Sequence, residues 1–383
     1  MRQGVVVGAV LIATAVFYNQ NNVTQAQAAQ TQAGGFVSVQ ASETEAQSGA
    51  AYWTAERLAT AQPMPLPLAD RNAVSEGAAQ ATGTSVSAAG AEPTSAGTSV
   101  AQLFDRSLFP QEAYSEGNAG EGIEPNDVGT FGAHFSSTRL IPLTADRQYP
   151  YRTVGKLFFT IPGQGNFVCS ASVFNYRLIA TAGHCVSDGN GHFYTNWVFI
   201  PAYRDGVAPY QAWNWNTATT TNDWHFGGGG VPNAADYAII AVSDRVFGTK
   251  LTKIGRKTGF LGWQTLSLSQ NHTTMLGYPC NLDSCEKMHQ VSAGAFRNTA
   301  PNNVEYGSDA RGGSSGGPWV QNFGATAVGQ SGGLNTGRNR IVGITSYGYI
   351  STDPKVQGAS ILDSRWVNMV NLMCGFTAGN CTP

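Results

Sequence analysis

Residues 309–319 read DARGGSSGGPW. Four glycines, two serines and a proline fill the seven positions 312–318. Glycine reaches the left-handed backbone region without steric cost and lets another chain come close. Such a string makes a plain flexible turn. It equally makes a rigid scaffold that presents the Ser315 hydroxyl while the N–H groups of Gly313 and Ser315 point at a developing oxyanion. The stretch alone leaves both readings open. The rest of the chain has to supply a base, a group that orients the base, and a fold that joins them.

The same residues, 313–317, also fit G-x-S-x-G, the strand–turn–helix elbow of an α/β hydrolase, which places its histidine after the serine. All six histidines (134, 184, 192, 225, 272 and 289) precede Ser315, so chain order excludes that fold. His184 closes the apolar run LIATAGHC, beside Cys185. A histidine at the end of a buried strand is positioned to act as a base, although a purely structural histidine fits the string too. Asp236 opens the apolar run in NAADYAIIAV. A carboxylate carried into a buried strand needs a partner, and a histidine N–H is one; an exposed strand-capping aspartate is the plainer alternative. Asp223, in NDWHF, is the weaker competitor.

Working outward, the chain from about residue 137 is a series of short segments: RTVGKLFFTI, NFVCSASVF, RLIATA, NWVFIPAY, DYAIIAV, QTLSLS, TTMLGY and RIVGITSYGYI. They are rich in β-branched and aromatic residues and separated by Gly, Pro, Asn and Asp. This pattern predicts an antiparallel β sandwich or barrel. The last segment differs. In SILDSRWVNMVNLMC, Leu362, Trp366, Met369, Val370 and Met373 recur at helical spacing and predict a C-terminal helix.

Before residue 137 the composition changes. Residues 29–130 are rich in Ala, Gly, Ser, Thr and Gln and show no helical or strand period. They carry 12 acidic residues against three basic ones, Arg57, Arg71 and Arg106, hence 3 − 12 = −9. With Arg2 at +1 and a net charge of −2, residues 131–383 carry −2 + 9 − 1 = +6. So few large apolar residues predict disorder, either as a solvating spacer or as a pro-segment attracted to the basic part and later removed. Residues 1–28 read as a signal peptide, with a short N-terminal anchor as the alternative: Arg2, the apolar stretch Val5 to Phe17, and the small-x-small site Ala26-Gln27-Ala28. The domain reading is therefore 1–28 signal peptide, 29–136 low-complexity acidic pro-segment or linker, and 137–383 folded domain.

Charged residues make up 12% of the chain, roughly half the usual share, as in secreted proteins with an uncharged polar surface. The small net charge argues against a nucleic-acid binder, and no later segment reads as a membrane span. The six cysteines are even in number in a chain read as exported, so disulfides are expected over a metal site. Their spacing suggests the local pairs Cys169 with Cys185, Cys280 with Cys285, and Cys374 with Cys381, among fifteen possible pairings.

The strings TAGHC, DYAII and GSSGGP, in that order, resemble the chymotrypsin/trypsin fold of serine peptidases. YPYRTVGKL at 149–157 and GYP at 277–279 resemble its bacterial branch, which includes the glutamyl endopeptidases, and GITSYG at 343–348 resembles the strand lining its substrate cleft. The resemblance spans about 149 to 375. It implies an all-β fold of two six-stranded antiparallel Greek-key barrels with a C-terminal α-helix, and a secreted serine endopeptidase, monomeric, acting on proteins or peptides without metal or cofactor. It gives Ser315 the role of nucleophile, His184 of base and Asp236 of orienting acid, with Gly313 and Ser315 forming the oxyanion hole. Ser346, Tyr347 and Gly348 would pair with the substrate backbone. Asp309 stands where trypsin-like enzymes bind Arg or Lys, and Arg311 in the same loop is a candidate contact for an acidic substrate. Thr345 replaces the histidine of glutamate-specific relatives. Ser314 replaces the aspartate that pairs with a new N-terminus on activation. A non-catalytic binding protein on the same scaffold and an esterase-like acyl hydrolase are the alternatives.

Overall fold

The run VGKLFFTI forms the strand Val154–Ile161 and turns through Gly163, at φ +77°, into Gly165–Val173. The two pair antiparallel from Ile161↔Gly165 to Val154↔Ser172. β-branched and aromatic side chains favour this pleated, buried setting. The structure, a computed structural model, describes residues 30–42, 45, 51–78, 80–93, 102–104, 107, 132–328, 335–350 and 354–383. The signal-peptide reading at 1–28 lies outside these residues.

Four further strands close this hairpin into a barrel. The order is Trp213–Thr221, Thr195–Pro201, Val154–Ile161, Gly165–Val173, Leu178–Thr181 and Ala238–Val242, and the last pairs back onto the first. Closure leaves no free edge among the six. Its interior is filled by Leu157, Ile179, Phe199, Trp213 and Ile240, all fully buried.

A second sheet runs in the order Val356–Ser360, Asn303–Gly307, His289–Thr299, His272–Gly277, Pro318–Gln321, Arg340–Ile344 and Gly262–Gln264. Met275, Val304, Tyr306, Trp319 and Val342 form its own core. The C-terminal helix Ser364–Phe376 follows. The Asp363 side chain caps it by accepting from the Arg365 N–H. Trp366, Met369, Val370 and Met373 are its buried face, as the spacing predicts; Leu362 precedes the helix and is buried as well. All three expected disulfides form: Cys169–Cys185, Cys280–Cys285 and Cys374–Cys381.

The expectation of disorder for the N-terminal third does not hold for its described part. Phe36–Gln40 pairs with the barrel strand from Phe36↔Thr221 to Gln40↔Thr217, and Gln30–Ala33 pairs with Phe36–Gln40 in turn. A short helix, Ala55–Ala59, is capped by Thr54, with Trp53 and Leu58 buried. Ser87–Ala88 extends the second sheet beside Gly262–Gln264. Phe135–Arg139, at the proposed boundary, pairs with His289–Thr299. Phe36, Val37, Val39, Trp53, Leu58 and Leu66 are too sparse to build a core of their own. Each instead buries itself against surface supplied by the rest of the chain. Residues 108–131 lie outside the described part.

Candidate active site

His184 and Asp236 come from the barrel. The strand Leu178–Thr181 ends in a tight turn, Gly183–Cys185, that carries His184, and Cys185 is tied back to the neighbouring strand through Cys169. Only glycine fits before it: a Cβ on Gly183 would lie 2.7 Å from Trp224 and 2.9 Å from Asp236 Oδ1. Asp236 sits two residues ahead of the strand Ala238–Val242 and is fully buried. Its Oδ1 accepts the His184 backbone N–H at 2.9 Å, and its Oδ2 lies 2.8 Å from His184 Nδ1. The Ser346 hydroxyl donates to the same Oδ2 at 2.6 Å. A buried carboxylate is thus met by three donors, which offsets its loss of water. With Nδ1–H facing Asp236, the free ring nitrogen is Nε2.

Asp223 does not compete. Its carboxylate is half exposed and pairs with Arg365 at 2.6 Å. A buried serine–histidine hydrogen bond elsewhere, Ser187 Oγ to His225 Nδ1 at 2.7 Å, has no carboxylate bonded to it among the described residues.

Ser315 comes from the second sheet, on the loop ahead of Pro318–Gln321. The loop is rigid. Gly313 has φ +89° and Gly316 φ +79°. A Cβ on Gly316 would lie 2.1 Å from Thr181 Oγ1 and 2.9 Å from Ala182 N, so this loop packs directly on the turn leading to His184. A Cβ on Gly313 would lie 2.5 Å from Tyr278 O. Ser170 holds the loop from behind: its N–H donates to Ser315 O at 2.7 Å and its hydroxyl to Gly313 O at 2.9 Å. Ser315 Oγ and His184 Nε2 are both buried, and neither has a hydrogen-bond partner among the described residues.

The flanking residues divide by what they touch. Ser314 donates its hydroxyl to Arg311 O at 2.6 Å and accepts from Gln357 Nε2 at 2.8 Å, a neutral network with no ion pair. Tyr347 is bonded on both backbone groups to Gly358. Gly348 and Gly313 direct their N–H groups away from the second sheet, to Pro67 O at 3.0 Å and Met64 O at 3.3 Å. The carbonyl of Asp309 accepts from Asn281, while its buried Oδ1 is unpartnered. Arg311 is half buried and reaches Tyr349 O at 3.4 Å; burial pushes its guanidinium below the ordinary value against the opposing charge of Asp309. The Thr345 hydroxyl is taken by Trp319 Nε1 at 2.8 Å.

Two contributors were not read from the sequence. Ser346, expected to pair with the substrate backbone, also anchors Asp236 through its hydroxyl. Ser170, in CSAS, carries no local signal at all, because its role exists only once the two sheets meet. Among the described residues, one group has metal-ligand proximity, Cys169, His184 and Cys185, and both of its sulfurs are spent in a disulfide. A polar concavity of about 930 Å³ elsewhere, lined by Gln270, Asn271, His272 and Asn322 among others, contains none of these side chains.

A closed barrel that supplies histidine and aspartate, facing a second sheet that supplies serine, is the architecture of the trypsin-like serine peptidases, and the chain resembles that class near its glutamyl-endopeptidase branch. No family model matches it. It is similar to the glutamyl endopeptidase of Bacillus licheniformis, with 26% identity over 184 residues, 47% of this chain and 51% of that protein. The chain thus spans about half the length of this curated relative. A thermostable serine protease, AL20, from an extremophilic microorganism matches in structure with a TM-score of 0.50 and 27% identity, over 59% of this chain and 98% of that one. The protease Anisep from Arthrobacter nicotinovorans matches with a TM-score of 0.49 and 25% identity, over 62% and 98%.

Proposed function

We propose that this chain is a secreted serine endopeptidase that cleaves peptide bonds through an acyl-enzyme. Ser315 Oγ attacks the scissile carbonyl. His184 Nε2 takes the hydroxyl proton and returns it to the leaving amine. Asp236 fixes the imidazole tautomer and stabilises its cationic form. The N–H groups of Gly313 and Ser315 receive the oxyanion. Water then repeats the attack on the ester and frees Ser315. The observation that carries this reading is the doubly anchored His184–Asp236 pair, which leaves Nε2 as the free basic nitrogen beside the glycine loop of Ser315. A binding protein has no chemical need for this arrangement.

Asp309 and Arg311 flank the same loop with opposite charges, and Thr345 cannot supply the carboxylate-binding imidazole of glutamate-specific enzymes. We therefore assign no exclusive preference for glutamate. Three disulfides and the signal-like residues 1–28 support export. No helix among the described residues is long and apolar enough to cross a membrane.

The test is a peptide-library digest by wild type and Ser315→Ala, before and after limited proteolysis of the N-terminal third. Cuts by wild type alone support the reading, and the residues preceding them give the specificity. Equal cutting by both proteins removes Ser315 from the nucleophile's role. An uncut library in every arm removes the peptidase reading.

A further inference from the structure

The N-terminal segment crosses the site. Gln62–Pro63 lies parallel to Phe167 and Val168 of the barrel, and Met64 donates its N–H to Val168 O at 2.9 Å. The next carbonyls occupy N–H groups reserved for substrate in the reading above. Gly313 donates to Met64 O at 3.3 Å, and Gly348 to Pro67 O at 3.0 Å. Leu68–Ala69 then pairs in parallel with Gly348–Tyr349, and Ile350 donates to Ala69 O at 3.3 Å. Leu66, between these contacts, is 5% exposed and lies on Gly348, where an added Cβ would come within 2.8 Å of Leu66 Cδ2. A Cβ on Gly312 would meet Met64 O at 3.0 Å and Pro63 Cβ at 3.5 Å.

The sequence suits an occupant that stays whole. In QPMPLPLA, prolines alternate at 63, 65 and 67. Each fixes φ and has no N–H, so the segment is extended in advance and loses little freedom on docking. The carbonyl at Gly313 is that of Met64, and the bond beyond it joins the ring nitrogen of Pro65. At 3.3 Å it also lies outside the roughly 2.7–3.1 Å wanted of an oxyanion donor. The carbonyl is parked beside the donor rather than activated by it.

We infer that Gln62–Ala69 is a built-in inhibitor that fills the substrate cleft and keeps Ser315 covered until the segment is cut or displaced. This rests on the serine-peptidase reading. It also supplies the control that a neutral Ser314 cannot: activation follows from uncovering the cleft instead of forming an ion pair inside it.

The experiment is the labelling rate of Ser315 by an aryl fluorophosphonate, followed by mass spectrometry in the full chain. Leu66→Asp and the milder Leu66→Ala are expected to label at least ten-fold faster than wild type. The second variant keeps the test decisive where the first fails to fold. The free peptide QPMPLPLA, added to Leu66→Ala, is expected to slow labelling competitively and to be recovered intact. Equal rates in wild type and a folded variant overturn the inference while leaving Ser315 as the nucleophile. Cleavage of the added peptide at the rate of ordinary library peptides overturns it too. Absence of labelling in wild type, variants and nicked chain alike removes the peptidase reading itself.

Discussion

Asp236 accepts from His184 N–H, His184 Nδ1 and Ser346 Oγ, so one carboxylate fixes both the place and the tautomer of the proposed base. Asp236→Asn is expected to lower kcat on the order of 10⁴-fold, because an amide favours the wrong tautomer. Ser346→Ala removes one hydrogen bond to a charged group, worth about 1.5–3 kcal/mol. Its kcat should fall about 10- to 100-fold with KM little changed, as read from initial rates. A raised KM at constant kcat would return Ser346 to substrate binding alone. Burial pushes the Asp146 carboxyl up from 3.8 to about 6 against the pull of Arg204. The folded state then holds this proton more tightly than the unfolded state. Its contribution to stability is full below about pH 4 and is lost as pH rises to about 6. Asp146→Asn should flatten that decline, by about 3 kcal/mol at most, in urea midpoints measured across the window. An unchanged slope would contradict the assignment.

At the scale of elements, the glycine loop is held by other elements that press on it. Cys280 N–H donates to Gly312 O at 2.8 Å, and a Cβ on Gly313 would lie 2.7 Å from Cys280 Sγ. The loop bearing Cys280 is tied in turn to the barrel by the buried pair of Glu286 with Lys156 at 2.7 Å, and Tyr203 donates to the same carboxylate. Glu286→Gln leaves a buried ammonium without its counter-charge. The expected loss is about 3–5 kcal/mol in denaturant unfolding, and a loss below 1 kcal/mol would show that the pair is not a structural tie. The Cys169–Cys185 bridge closes a separation of 16 residues, worth about 3 kcal/mol in the chain-entropy view. It also pins the turn that carries His184, so its removal should lower kcat as well as the thermal midpoint. A change in midpoint alone would confine the bridge to stability.

Across the whole molecule, the parts legible in the sequence were those with a local signature. Strand segments announced themselves by composition, the last helix by its spacing, and the three candidate site residues by apolar runs and glycines around them. The roles of Ser170 and Ser346 were hidden because they arise from contacts between segments more than 100 residues apart. The contacts of the described N-terminal residues were hidden for a related reason. Phe36, Trp53, Leu58 and Leu66 are too few to announce a core, and their burial depends on surfaces supplied by the rest of the chain.

The central claim is that Ser315 is acylated with the help of His184. Its most direct test is an acid-quenched reaction with a slowly deacylating nitrophenyl ester, on the nicked chain, read by peptide mass spectrometry. The account predicts one acyl group on the peptide containing Ser315, absent in Ser315→Ala and strongly reduced in His184→Ala. Acylation at another residue, or an adduct undiminished by Ser315→Ala, would contradict it.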